Sequence, residues 1–168
     1  MNMNKYTIKA QEAVQEAVKR AERQGQQAIE PEHLLSGILQ AAEEGTRFIF
    51  QKLGLNPTTV QQAVDAQIGS LPKVQGGQPY LSQQSSQVLQ KAEDLAQQGG
   101  DEYVSVEHLL MAIADVQCTA GKMLKDMGLT QEELKKAIHE LRGGQKVTSQ
   151  SSEDTYQSLN KYARNLVD

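Results

Sequence analysis

Two Glu-His pairs, Glu32-His33 and Glu107-His108, stand in closely matching surroundings: Ile29-Glu30-Pro31-Glu32-His33-Leu34-Leu35 returns as Val104-Ser105-Val106-Glu107-His108-Leu109-Leu110. Carboxylate and imidazole are ordinary components of acid–base and metal chemistry, so the doubled pair is the first place to look for a reactive centre. Neighbours on a helix point about 100° apart, however, and a Glu-His dipeptide is not a metal-ligand spacing. This assigns His33 and His108 to packing or to second-turn polar contacts. His139 falls on the exposed side of the last helix, and Cys118 has no adjacent base and reads as a small, partly buried residue. No nucleophile–base–orienter set and no metal-ligand set is legible, so neither catalytic residues nor a metal site is expected. Gly121-Lys122 is followed by Met123 and lacks the upstream glycine of a phosphate loop, so this stretch should not hydrolyse ATP.

Glu32 and Glu107 admit two readings. Each complements the positive end of a helix dipole, worth ~0.3–1 kcal/mol. Alternatively, each lines a pocket with a hydroxyl at the start of a neighbouring helix, Thr7 or Ser82, and accepts a cationic or amide group from a partner chain.

Extended along the chain, the offset of 75 residues sets Thr7 on Ser82, Ala13-Val14 on Val88-Leu89, Ala17 on Ala92 and Gly25 on Gly100. Further on it slips to 74 and sets Phe50 on Leu124, Gly54-Leu55 on Gly128-Leu129 and Val64 on Ile138. The chain is a tandem duplication, so any site is doubled or lies at the seam between the copies. Each copy is about 65 to 70 residues, marginal for an independent core, and the two are expected to share buried surface.

Apolar residues spaced by three and four predict four helices per copy, an all-α fold of eight helices with pseudo-two-fold symmetry. Thr7 precedes Ile8, Ala10, Ala13, Val14, Ala17, Val18 and Ala21, and Gly25 ends that helix. Pro31 opens the second, whose buried stripe is Leu34, Leu35, Ile38, Leu39 and Ala42. A short third helix is expected from about Thr46 to Leu53, and Asn56-Pro57 starts a fourth. After a connector at 70–78, rich in Pro and Gly, Ser82 begins the second set. Ser105 caps its next helix, Met123, Leu124 and Met127 lie on the short one that follows, and Thr130-Gln131-Glu132-Glu133 is a capping box for the last. The deepest burial is expected at Leu34, Leu35, Ile38, Leu109, Leu110 and Ile113. The double-repeat domain is taken as 1–144, with repeats at about 6–69 and 80–144. The polar stretch 145–152 reads as a mobile linker with little to bury, and 153–168 as the first, truncated element of a following domain.

The 168 residues carry a formal net charge of −4, with an isoelectric point near 5.4. No cluster of Lys and Arg suits a phosphate backbone, which excludes nucleic acid as the main partner. No apolar run approaches the ~18 residues of a membrane span, and the start lacks a signal peptide's apolar core. With a single Cys118 there is no internal disulfide, and a cytoplasmic location is expected. The Gln-rich helix faces, such as Gln97-Gln98, read as solvated surface without a function.

The doubled Glu-His-Leu-Leu, the Lys9-Ala10-Gln11-Glu12-Ala13 start and the Leu71-Pro72-Lys73-Val74 connector together resemble the amino-terminal domain of Clp-family AAA+ unfoldases. Leu141-Arg142-Gly143-Gly144 and Leu159-Asn160-Lys161-Tyr162-Ala163-Arg164-Asn165-Leu166 are similar to the ClpB-type junction into the first nucleotide-binding domain. The resemblance covers the whole chain. It implies a hexameric, ATP- and magnesium-dependent disaggregase of the heat-stress response, which threads unfolded or aggregated polypeptide through its pore in cooperation with the DnaK chaperone system; this part would engage substrate first. The resemblance also ties Thr7, Asp101 and Glu107 to substrate handling beside an apolar groove at the repeat interface, with Leu89 and Leu95 nearer its floor and Glu32 and Ser82 as repeat-related candidates. Lys91 and His108 stand where some relatives carry apolar residues. The alternative is a ClpC-like docking domain for adaptors or phosphoarginine-marked clients that feeds a protease; the connector and the Lys161-Tyr162 element speak against it.

Overall fold

The computed structural model describes residues 3–74 and 76–153. Among them are eight α helices: α1 (Ile8–Arg23), α2 (Pro31–Ala41), α3 (Glu43–Lys52), α4 (Pro57–Gly69), α5 (Gln83–Gln98), α6 (Val106–Asp115), α7 (Thr119–Asp126) and α8 (Gln131–Arg142). The helices α2 and α6 are the centre of the molecule. Their residues 31–39 and 106–114 are buried on every face, so the others must wrap around both. The copies interlock, α3 packing on α8, α4 on α7 and α2 on α6. Leu34, Leu35, Ile38, Leu109, Leu110 and Ile113 are all buried in this shared core, as the apolar spacing predicts.

Local signals start and stop the helices where expected. The hydroxyls of Thr7, Ser82 and Thr130 accept from Ala10 N–H, Ser85 N–H and Glu133 N–H, and Pro31 and Pro57 occupy first turns. Gly25 takes φ +67° just past α1, a conformation that favours glycine. Two expectations need correction. α3 starts at Glu43, ahead of Thr46: Thr46 N–H makes the first helical bond to Ala42 O, which puts Thr46 inside the helix, with its hydroxyl donating to the same carbonyl. Ile8 does not face the core but is 47% exposed, since it lies on the face of α1 opposite the buried stripe Ala10, Ala13, Val14, Ala17 and Ala21.

One feature has no counterpart in the helical pattern. The residues before α1 run beside those before α6, and those before α5 beside those before α2. Residues Ala28–Ile29 (β1) pair in parallel with Tyr80–Leu81 (β2), and the equivalent bridge joins Tyr6 to Val104. Thr7 N–H donates to Val104 O, and Ser82 N–H donates to Ile29 O. These reciprocal cross-repeat contacts set the first turn of α1 against that of α6, and the first turn of α5 against that of α2.

Residues 145–152 do not lie free. Val147 is fully buried, Glu102 N–H donates to Val147 O and Ile8 N–H donates to Gln150 O, so the stretch straps across the ends of α1 and α6. Its polarity hides this: Val147, Ser152 and then Glu153 are buried, and backbone groups and the side chains of Lys146, Gln150 and Glu153 alike bond to the body. The packed body therefore extends through Glu153, beyond the expected edge at 144. The element expected at 153–168 lies, after Glu153, outside the described residues.

Candidate functional site

Each α2/α6 start is closed by the histidine that follows the glutamate. Glu30 N–H donates to His33 Nδ1, and Ser105 N–H donates to His108 Nδ1, both at 2.9 Å. The imidazole thus takes the return half of the capping box, a place usually held by Glu or Gln. With Nδ1 accepting, Nε2 carries the proton and meets a side chain of the preceding loop: Gln26 Oε1 for His33 at 2.7 Å, Asp101 Oδ2 for His108 at 2.8 Å. These are the polar contacts expected of a structural histidine. Burial, aided by Arg20, lowers the His33 pKa to about 4, so this ring is neutral near pH 7.

From here the copies diverge. Where the first has Gln26 and Ile68, the second has Asp101 and Arg142. The Arg142 guanidinium, from the last turn of α8, donates to Asp101 Oδ2 at 3.2 Å, Glu107 Oε1 at 3.1 Å and Ser105 Oγ at 3.2 Å. Burial alone would raise the Asp101 pKa. The hydrogen bonds from His108 and the Val147 amide, with the charge of Arg142, outweigh it and hold the pKa at about 2. Glu32, the repeat mate of Glu107, is buried, and desolvation followed by the nearby Glu30 raises its pKa. The corresponding hydroxyl, Ser82, stays half-buried as a helix cap.

Thr7 is fully buried. Its hydroxyl donates to Glu153 Oε2 at 2.7 Å, and the same oxygen accepts from Val106 N–H, the first amide of α6, at 2.9 Å. The chain's own strap thereby fills the corner between Thr7 and Glu107 where the sequence suggested a partner group. Glu153 is 1% exposed and its Oε1 has no hydrogen-bond partner among the described residues. Burial first, then the charge of Glu107, pushes its pKa to about 8.

Next to this polar cluster lies an open groove of about 370 Å³ between α5, α6 and α8. The partly exposed Leu95 supplies most of its apolar surface, backed by the largely buried Met111 and Ile138, and Asp101, Arg142, Lys135, His139 and Lys146 also line it. Of the sequence-predicted residues, Leu95 and Asp101 meet in this groove. Glu107 sits behind Arg142, Leu89 is buried in the core beneath, and Thr7 is held apart under Glu153. Arg142, Met111, Ile138, Lys135, Lys146 and Glu153 were not singled out as site residues. The repeat carried a signal for several of them, since Arg142 replaces Ile68 and Met111 replaces Ser36 at equivalent positions. Among the described residues no helix is long and apolar enough to cross a membrane, and no group of three or more His, Cys, Asp or Glu is placed to hold a metal ion.

The profile of the Clp repeat (R) N-terminal domain matches residues 5–127. The chain is 59% identical over 166 residues to the chaperone protein ClpB of Bacteroides thetaiotaomicron and 53% identical over 166 residues to that of Porphyromonas gingivalis. Each match covers 99% of this chain but 19% of the relative, so the chain spans about a fifth of the length of the curated relatives it matches. In fold it is similar to the Hsp104 N-terminal domain from Candida albicans, with a TM-score of 0.75 at 24% identity, covering 88% of this chain and 98% of that one. It is also similar to a ClpV N-domain solved in complex with a VipB peptide, with a TM-score of 0.68 at 19% identity, covering 82% and 86%. With its duplicated helices and its likeness to ClpB sequences end to end, the chain belongs to the Clp repeat (R) N-terminal domain family.

Proposed function

We propose that this domain captures exposed segments of unfolded or aggregated polypeptide and hands them to the pore of a ClpB-type hexameric ATPase, acting in the cytoplasm with the DnaK system under heat stress. ATP and magnesium would belong to the ATPase domains. The observation that carries the reading is the groove beside α8, where Leu95, Met111 and Ile138 offer apolar surface next to fixed polar groups. Such a shallow site has few directional partners and suits weak capture of many sequences. Asp101 would act at its end, and Glu107 and Thr7 from behind, by fixing α6 and α8. The peptide bound by the related ClpV N-domain supports a polypeptide ligand. The ClpC-like alternative needs an acidic recess for a guanidinium from outside, whereas Glu107 and Asp101 here already accept from Arg142.

Titrating the labelled domain with a permanently unfolded protein, such as reduced and carboxymethylated lactalbumin, should shift NMR resonances of Leu95, Asp101, Met111 and Ile138. Leu95→Gln should weaken binding about tenfold, the value of one well-buried apolar side chain, with the fold intact by circular dichroism. Shifts confined to the Gln-rich faces would place capture elsewhere and sink this reading.

A further inference from the structure

The duplication contains its own control for what the groove prefers. A second groove of about 780 Å³ lies in the first copy and includes Arg20, Ser36, Gln61 and Asp65, the repeat mates of Leu95, Met111, Lys135 and His139. There the charges are satisfied internally. Arg20 lies across the groove, donating to Ser36 Oγ and to Asp65 Oδ1, both at 3.1 Å, and Gln61 donates to the same Asp65 oxygen at 2.9 Å.

In the second copy every member of that network is changed. Leu95 replaces the arginine and leaves the floor apolar, His139 replaces the acid, and Lys135 replaces the neutral amide on the edge. Asp101 is the one acid lining the groove, and it is fully engaged by His108, Arg142 and the Val147 amide. Of the acids of α8, Glu140 pairs with Lys52 and Glu133 with Lys136, while Glu132, one turn before Lys135, does not line the groove. Lys135 makes no ion pair among the described residues, and Lys146 donates only to the carbonyl of Gly99. A chain of net charge −4 thus sets Lys135 and Lys146, neither of them ion-paired among the described residues, beside its apolar groove.

Resting on the capture reading above, we infer that the groove selects polypeptide segments in which apolar side chains are flanked by Asp or Glu, the carboxylates meeting Lys135 and Lys146 while the apolar residue lies on Leu95, Met111 and Ile138. The lysines are solvent-exposed, so their effect is one of selection and encounter that salt weakens.

The test uses the 168-residue chain and two fluorescein-labelled peptides with the same Leu-Phe core, one flanked by glutamates and one by lysines, followed by fluorescence anisotropy. The acidic peptide should bind about tenfold more tightly at low salt, the equivalent of roughly 1.4 kcal/mol, and the difference should shrink as salt rises. Lys135→Glu with Lys146→Glu should reverse the order, and Leu95→Gln should weaken both peptides together. Equal affinities with the Leu95 effect intact would overturn the charge preference and leave capture standing. Preference for the basic peptide would overturn it as well. Binding of neither peptide would bring down both the preference and the capture reading on which it rests.

Discussion

Glu153 is a carboxyl group held where a carboxylate is disfavoured. Its pKa near 8 lies above the ordinary 4.5, so between these values the docked strap keeps a proton that the released strap gives up. The strap is therefore most firmly held below about pH 4.5 and loses hold as pH rises toward about 8. The expected outcome is faster opening at about pH 8 than at about pH 6 for the Ile8, Glu102 and Val106 amides, which donate to the strap, read by hydrogen exchange corrected for its intrinsic pH dependence. Glu153→Gln keeps an acceptor for Thr7 and Val106 and should flatten that dependence. Equal opening in the wild type at both pH values would show that the carboxyl does not control docking.

At the level of the element, the two copies pack their paired helices differently. Gly37 of α2 lies so close to α1 that a Cβ would run into the Ala13 carbonyl. Its repeat mate in α6 is Ala112, which is fully buried, so the α5–α6 pair accommodates the methyl that the α1–α2 pair excludes. Gly37→Ala should therefore destabilise the domain by ~1–3 kcal/mol through overpacking, although alanine is the better helix former. Urea denaturation measures this directly. A variant as stable as the parent would mean that α1 can shift outward without cost.

For the whole molecule, the strap ties the last helix to the first. Ending the chain at residue 144 removes the burial of Val147, worth ~1.5–3 kcal/mol, together with the bonds to Asp101, Thr7 and Val106. The melting temperature should fall by roughly 4–10 °C for a domain of this size; an unchanged midpoint by calorimetry would show that 145–153 contributes nothing to the folded body. The duplication, the eight helices, their caps and the identity of the core residues were legible because they are local or periodic. An apolar stripe at 3.6 residues per turn and a Thr, Ser or Pro at its head act within one element, and the repeat states the result twice. Leu95 and Asp101 were singled out through family resemblance; the groove that brings them together lies within the second copy and leaves no mark in local patterns. That groove depends on Arg142, seventy-four positions beyond an isoleucine, reaching back from α8 to Asp101 and Glu107. The strap was missed for the same reason. A polar segment reads as solvated unless its partners are known, and those of Val147 and Glu153 lie far back along the chain, at Asp101, Glu102, Val106 and Thr7. Sequence by itself thus determined the helices and their core faces, whereas the tertiary structure alone decided which buried charges meet, because a buried charge is stable only beside partners that the fold delivers from elsewhere in the chain.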